Sequence, residues 1–516
     1  MKELINGKTT LIIISGFLII EALSLVGNIF PIWGNVFFVA VSSAFLILSL
    51  RDLRFGLWLV FAELFIGSQG YLFSCQLGGA SISIRMAFWV ILLAVWGAKL
   101  VSLLRHSKPG QKKRELKILQ SSYFSYVLIL AVFVGWGILN GFIGGNAFNN
   151  ILFDVNGWFY LALILPLYEV VFRDKNFFYP LFQSLFAALI WLGIKTLFLV
   201  FVFSHNFYSW MDVLYNWVRD TGVGEITEMG GGMVRVFFQS HIFAVIAFFF
   251  GLIILNKFMS GKKIKQMTRP EIKKLILLVL SEILFLTVVL VSFSRSFWVG
   301  AIVATLFFLG FIWKKYNWKR MATNIGVIAV VSILSVGLFV GVVNFPGVGN
   351  GPRINAAAGM KDRAGSVSGN EAAVSSRWNL LPHLWTKITE APILGQGFGT
   401  TITYHSNDPR VEQSTADGQY TTYAFEWGWL GIWLKLGFFG FFCYVFLLAK
   451  LILDGLIKKE LFSSPAVNGI IIGIIILGTV NFFTPYLNHP LGLGFMILGL
   501  ALVDRERNFS SGLTSG

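Results

Sequence analysis

The chain has 516 residues, of which only 13% are charged, about half the fraction found in soluble domains. Its mean hydropathy of +0.73, with 52 Phe and 17 Trp residues, excludes a soluble protein and indicates an all-α, polytopic integral membrane protein. The net charge of +16 does not indicate nucleic-acid binding, because the cations lie in short segments between long apolar runs. The two cysteines, Cys75 and Cys443, give neither a disulfide framework nor a metal-site spacing.

Apolar runs recur along the whole chain, and many have the length that a helix needs to cross a bilayer. We count fourteen, at approximately 10–30, 34–50, 55–75, 85–104, 122–143, 157–172, 178–203, 236–256, 275–293, 297–313, 324–343, 425–449, 466–484 and 490–503. Because several runs are short, we predict about 12–14 transmembrane helices in a single membrane domain that covers residues 1–516.

The distribution of cations predicts the orientation of these spans. A cytoplasmic N-terminus places 28 Lys and Arg residues on the cytoplasmic side and ten on the external side, as the positive-inside rule requires. We therefore predict that both termini are cytoplasmic and that residues 344–422 form a large external loop inserted between spans. Three further cations, Lys99, Lys195 and Lys435, lie within spans.

Three arginines are predicted at the external membrane edge, where the positive-inside rule does not explain them. Arg235 begins the eighth span, Arg295 lies in the turn between the ninth and tenth spans, and Arg377 begins a helix in the external loop. The planar guanidinium forms bidentate hydrogen bonds to phosphate oxygens and stays charged, so these arginines suit a diphosphate. Each one alone also fits a headgroup contact or a helix-end anchor, and both interpretations stay open.

The external loop contains one segment with the pattern of an amphipathic helix. Trp378, Leu381, Trp385 and Ile388 recur at helical spacing and give one apolar face. A Trp-rich face with nearby cations is typical of a helix in the membrane–water interface, although a helix packed on its own protein fits the same pattern. Because Pro382 is tolerated only near a helix start, we expect the first turn of this helix to be kinked.

A glycine-rich segment follows this helix. Pro392 ends the helix, and Gly395, Gly397 and Gly399 allow tight turns, which predicts a hinge. An Arg-Trp pair followed after thirteen residues by P-x-x-G-x-G-x-G resembles the large external loop of the O-antigen ligase and polymerase superfamily.

The resemblance implies a metal-independent, inverting membrane glycosyltransferase in the bacterial inner or plasma membrane. It would transfer a glycan from a polyprenyl-diphosphate carrier to an acceptor hydroxyl on the external face. It also implies that Arg235, Arg295 and Arg377 hold the diphosphate. The S-R turn at Arg295 is similar to the family's mid-chain arginine motif, whereas the segment that starts at Arg235 lacks that family's glycine and asparagine.

The acceptor hydroxyl needs a base, and here the sequence departs from the family pattern. Many members have a His-Asn pair before the span that follows the long loop, but this chain has Phe425 and Glu426 there. We therefore consider Glu426 as the base, with His383 and His405 as rivals, and we favour a polymerase over a ligase. The alternative for Glu426 is a structural ion pair with an arginine.

The expected partners are a polyprenyl-diphosphate-linked glycan donor, a glycan or lipid acceptor, and membrane lipids, with no nucleic acid. We expect neither a cofactor nor a metal, because the external carboxylates form no D-x-D pair and the chain has no phosphate-binding Walker motif. A flippase for lipid-linked oligosaccharides is the alternative function. It is the weaker one, because the chain shows no internal repeat of the kind that marks many transporters.

Overall fold

The computed structural model describes residues 7–77, 80–106, 116–174, 176–229, 233–261, 266–345, 372–406, 411, 417–458 and 463–510. Its described residues are mainly helical, which confirms the all-α membrane fold class. Ten described helices are long and apolar enough to cross a membrane, or eleven if a helix pair bent by 43° counts as one span.

Each of the fourteen predicted runs coincides with helical structure. The four that fall outside the set of ten are the runs predicted at 55–75, 157–172, 466–484 and 490–503, of which 157–172 is the second part of the bent pair. In chain order the helices are α1 Gly7–Ile29, α2 Pro31–Arg51, α3 Leu53–Ile66, α4 Ile84–His106, α5 Phe124–Ile143, α6 Phe148–Val155, α7 Ile164–Val171, α8 Phe178–Ser204, α9 Tyr208–Asp220, α10 His241–Gly261, α11 Arg269–Val291, α12 Arg295–Lys315, α13 Trp318–Asn344, α14 Ala372–Glu390, α15 Gly428–Ile457, α16 Pro465–Val480 and α17 Pro490–Ser510.

The described residues contain three short antiparallel strand pairs, here called hairpins, which the sequence did not predict. Their strands are β1 Ser74–Leu77 with β2 Ala80–Ser83, β3 Gly224–Glu228 with β4 Val234–Phe238, and β5 Ile402–His405 with β6 Gln419–Thr422.

The second hairpin corrects the predicted position of Arg235. This residue lies on β4, opposite Thr227 of β3, and the helix that was expected to begin with it starts only at His241. Along β4, Val234, Val236 and Phe238 are buried while Arg235 and Phe237 are half-buried. This alternation, with β-branched residues on the buried face, is the pattern of a half-buried strand.

The chain forms two compact units. The first comprises residues 1–115, 165–360 and 463–476, and the second comprises 116–164, 361–462 and 477–516. The described part of the predicted external loop beyond α13 belongs to the second unit. That the units form one membrane domain stays a prediction.

Helix α8 is the central element of the first unit and packs against α1, α3 and α11. Its Lys195 Nζ lies 2.5 Å from Glu21 Oε1 of α1, and both side chains are only 4% exposed. A second buried pair joins Arg85 Nε of α4 to Glu63 Oε2 of α3 at 2.8 Å. An apolar span tolerates such charges only when they are paired, so both contacts fix how these helices pack.

Helices α5 and α15 are the main helical pair of the second unit. The path of α15 breaks at Gly437, where φ is 70° and ψ is −179°. A side chain at this position would place its Cβ 2.2 Å from the carbonyl oxygen of Ile393. The break therefore lets the segment before β5 approach the main chain of α15, and only glycine permits it.

Candidate functional site

The candidate site is built on α14, the β5–β6 hairpin and the start of α15, all in the second unit. The buried face of α14 consists of Leu380, Leu384 and Ile388, which are at most 2% exposed. They pack against a hydrophobic cluster that the hairpin and α15 complete: Ile402, Tyr404, Phe425 and Leu434. This cluster holds the polar side chains at its edge in fixed positions.

The predicted apolar face of α14 therefore coincides only in part with the buried face, since Leu381 is half-buried. Ile388 is buried, but Trp378 and Trp385 are 57% and 50% exposed. Their rings instead make edge-to-face contacts with Trp427 and Trp433, at centroid distances of 5.5 and 6.1 Å. Tryptophan favours such half-exposed positions because it is large and amphipathic. That these rings lie in the membrane interface stays a prediction.

The start of α14 also differs from expectation. The helix begins at Ala372, so Arg377 is in its second turn and Pro382 lies inside it. A proline inside a helix removes the hydrogen bond to the carbonyl four residues earlier, which is that of Trp378. The adjacent carbonyl of Arg377 accepts a hydrogen bond from Trp427 Nε1 at 2.9 Å. This contact ties the helix to the residue that precedes α15.

Arg377 and Glu426 form an ion pair through Arg377 Nε and a carboxylate oxygen of Glu426. The side chains are 33% and 47% exposed, so a ligand has access to both. Glu426 lies two residues before α15 begins, at the end that carries the positive partial charge of a helix. The structure therefore brings together one predicted diphosphate ligand and the predicted base.

The two alternative bases, His383 and His405, lie on the same elements of the candidate site but form hydrogen bonds to other groups. His383 Nδ1 lies 3.0 Å from the carbonyl oxygen of Asn379 in its own helix. His405 is on β5, and its main-chain carbonyl accepts a hydrogen bond from Asn379 Nδ2 at 3.1 Å. Within the described part of the chain, neither histidine bonds to Arg377 or Glu426.

The other two predicted diphosphate ligands belong to the first unit, where they meet at one turn. Arg235 Nε donates to the carbonyl oxygen of Ser292 at 2.8 Å, and its guanidinium lies 4.7 Å from the ring centre of Phe237. Arg295 is the first residue of α12, three residues after Ser292. Arg235 and Arg295 thus share the turn between α11 and α12. Their convergence with Arg377 on one diphosphate stays a prediction.

The glycine-rich segment 391–399, here called the connector, runs between α5 and the break in α15. The predicted turn glycines Gly395, Gly397 and Gly399 have φ values of 76°, 85° and 78°. A Cβ on Gly397 would lie 2.2 Å from the main-chain nitrogen of Gly141, so a side chain there is excluded. Hydrogen bonds hold the connector on both sides, among them Asn140 Nδ2 to Gly395 O (2.7 Å), Phe398 N to Gly137 O (2.9 Å), Gln396 N to Leu434 O (2.6 Å) and Phe438 N to Pro392 O (3.0 Å).

These contacts favour a fixed connector, and the predicted hinge around Pro392 and the three glycines stays a prediction. The indole of Trp433 also donates to the carbonyl oxygen of Pro392 at 2.9 Å. Because α14 ends where the connector begins, the connector fixes α14, and with it Arg377, relative to α15.

A buried ion pair that sequence reasoning missed supports the connector. Lys435 of α15 pairs with Asp154 of α6, and the side chains are 4% and 6% exposed. The second oxygen of Asp154 accepts a hydrogen bond from Gly399 N at 2.9 Å. The sequence signal for this ion pair was Lys435 itself, because a charged side chain within a span requires a partner.

No group of three or more His, Cys, Asp or Glu side chains in the described ranges is arranged to hold a metal ion.

Residues 280–445 match a family model described as O-Antigen ligase. The match extends from α11 into α15, so it contains Arg295, Arg377, the connector and Glu426, while Arg235 lies before it. No curated protein and no solved structure matches the chain.

Proposed function

We propose, because residues 280–445 match a family model described as O-Antigen ligase, that this chain transfers glycan from a polyprenyl-diphosphate donor to an acceptor hydroxyl. The family match supports a membrane glycosyltransferase of the ligase or polymerase type. The donor, the external location of the reaction and the roles of single residues are our proposals.

The chemistry is a single displacement at the anomeric carbon. The acceptor oxygen forms a bond to that carbon while the bond between the carbon and the phosphate oxygen breaks. The bonding electrons leave with the polyprenyl diphosphate, and the hydroxyl proton moves to a base. Attack opposite the leaving group inverts the anomeric configuration, and cations aimed at the developing charge lower the barrier.

The observation that carries this proposal is the Arg377–Glu426 ion pair within the matched residues. The pair holds a guanidinium, which suits the leaving diphosphate, next to a carboxylate, which suits the proton of the acceptor hydroxyl. A bound diphosphate competes with Glu426 for the guanidinium. Donor binding then frees the Glu426 carboxylate to accept the proton, so that the base becomes available only when the donor is present.

Polymerase activity is favoured over ligase activity by the residues that stand in place of the family's His-Asn pair. Phe425 is 3% exposed and belongs to the hydrophobic cluster, so only Glu426 offers a proton acceptor at this position. His383 and His405 remain the alternative bases.

The test is glycan transfer in detergent with lipid-linked glycan extracted from the native cells. Detergent offers no bilayer to cross, so product formation separates a transferase from a flippase. We expect Arg377→Ala to lower transfer about tenfold to a hundredfold, since a charge-assisted hydrogen bond contributes about 1.5–3 kcal/mol. Arg377→Lys should recover only part of the activity, because lysine keeps the charge but loses the planar fork.

Lys387→Ala is the matched control, because Lys387 is also on α14 and also pairs with an exposed carboxylate, that of Glu390. This variant should keep normal transfer. Full activity of Arg377→Lys at normal protein levels would show that a bidentate diphosphate contact is not required. Absence of any transfer by the wild-type protein, with lipid-linked glycan moved across proteoliposomes, would establish the flippase instead.

A further inference from the structure

A cavity of about 860 Å³ in the first unit lies apart from the residues discussed above. It is lined by the turn between α2 and α3, the second half of α4 and the end of α7 with the residues that follow it. Its volume is in the range of small-molecule sites. Its wall combines four Lys and Arg side chains and three carboxylates with apolar side chains.

Two of the four cations already form salt bridges with the three carboxylates. Arg54 pairs with Asp52 at 2.6 Å and with Asp174 at 2.9 Å, and Arg173 pairs with Glu169. Partial burial acts to raise the pKa of Asp52, but hydrogen bonds from Arg54 and the charges of Arg54 and Lys99 outweigh it, so the pKa is lowered and the carboxylate stays ionised.

The other two cations, Arg51 and Lys99, are therefore available to an anion. Within the described part of the chain, neither forms a salt bridge. Lys99 Nζ donates to the carbonyl oxygen of Ser49 at 3.2 Å, which leaves it further N–H donors. Both side chains are exposed.

The apolar part of the wall supplies one further donor. Trp96 Nε1 is buried and has no hydrogen-bond partner in the structure. A buried N–H without a partner is costly, and a ligand oxygen in the cavity would satisfy it. Leu100 and Leu103 follow on the same helix and also line the cavity, which suits a hydrocarbon chain beside the polar group.

We propose that this cavity binds the phosphate ester headgroup of an anionic membrane lipid. Two cations without carboxylate partners, an indole donor and an apolar wall match a negatively charged phosphate attached to acyl chains. All three lining segments are among those that the cation distribution assigns to the cytoplasmic side, where anionic headgroups attract basic pockets between helices.

The test uses the full-length protein in a zwitterionic detergent and follows thermal unfolding as a phospholipid is added. Phosphatidylglycerol is the anionic probe, phosphatidylcholine the zwitterionic one, and inorganic phosphate the free anion. A ligand that binds the folded state raises the unfolding temperature in proportion to its occupancy. We expect phosphatidylglycerol alone to raise it.

The double variant Arg51→Gln/Lys99→Gln should require at least about tenfold more phosphatidylglycerol for the same shift, since two charge-assisted contacts are lost. Lys319→Gln removes the same kind of charge from an exposed lysine on α13 that does not line the cavity, and it should respond like the wild type. Trp96→Phe keeps the ring but loses the donor, so it should weaken the response while the protein stays folded.

Three results would overturn the proposal. An unchanged phosphatidylglycerol response in both the double variant and Trp96→Phe would show that the lipid does not bind in this cavity. An equal response to phosphatidylcholine would remove the requirement for a net negative charge. Equal protection by inorganic phosphate would show that the ligand is a free anion and not a lipid.

Discussion

The ion pair between Arg377 and Glu426 makes the roles of the two residues depend on each other. If Glu426 serves only to orient the guanidinium, a neutral hydrogen-bonding side chain of the same size can replace it. If Glu426 accepts the acceptor proton, its basicity is essential. The two roles predict different changes in kcat and KM.

We predict that Glu426→Gln lowers kcat by about 10²–10⁴-fold, the usual contribution of a general base. The KM for the lipid-linked donor should stay constant or fall, because Arg377 is no longer neutralised by a carboxylate. Steady-state transfer kinetics in detergent measure both values. A Glu426→Gln enzyme with nearly normal kcat would assign the proton to His383 or His405, whose alanine variants form the next comparison.

At the scale of single residues, the sequence identified the candidate groups but not the contacts between them. Arg377 and Glu426 were identified from their positions in the family pattern, and an ion pair was only one of two interpretations of Glu426. They are 49 residues apart, and their contact depends on how α14 packs against α15. The buried stripe of Leu380 and Leu384 was not identified, because the Trp-rich face is an equally regular apolar stripe of the same helix.

At the scale of elements, the sequence predicted the turns of the connector but not the residues that those turns contact. The glycine pattern indicated turns, and the three residues have positive φ values. The partners of those turns, Gly137 and Gly141 on α5 and the break at Gly437, carry no local pattern that distinguishes them from other glycines in apolar helices. The short hairpins were missed for a similar reason, since strands of four or five residues between apolar helices give a weak periodic signal.

The buried pair of Asp154 and Lys435 gives a prediction at this scale. Asp154→Ala should destabilise the protein by about 3–5 kcal/mol, because Lys435 is left as an unpaired buried charge. The double variant Asp154→Ala/Lys435→Met should recover part of this loss, although Gly399 N still loses its acceptor, at a cost of about 1–3 kcal/mol. Thermal unfolding in detergent compares the variants.

Glu390→Ala provides the control, because it breaks the exposed pair with Lys387 and should change stability by less than about 1 kcal/mol. If Asp154→Ala unfolds at the same temperature as Glu390→Ala, the buried pair does not stabilise the connector.

At the scale of the whole molecule, hydropathy and charge predicted nearly all the helices. The segments assigned to one side of the membrane also come together within each unit. In the first unit, Arg54 after α2 pairs with Asp174 after α7. In the second, Tyr123 before α5 donates to Asp454 at the end of α15. Length and composition do not determine the number of spans. A short helix can be apolar without being long enough to cross a membrane, and the bent pair is long enough only if its two helices count as one span.

We predict that the α12–α13 turn is cytoplasmic and that β6 is external. Single-cysteine variants Asn317→Cys and Thr421→Cys test this, in a background where Cys75 and Cys443 are replaced by serine. Both positions are exposed. A membrane-impermeant maleimide should label Thr421→Cys in intact cells and Asn317→Cys only after permeabilisation, and the opposite pattern would invert the proposed orientation.

The Arg377–Glu426 pair also has a consequence for ligand selectivity. An ordinary phospholipid headgroup offers a single negative charge, so it exchanges one contact of the guanidinium for another and gains little. A diphosphate carries more charge and more acceptor oxygens than the carboxylate that it displaces. Under the proposed function, the pair therefore sets a charge threshold that favours a diphosphate donor over monoanionic membrane lipids.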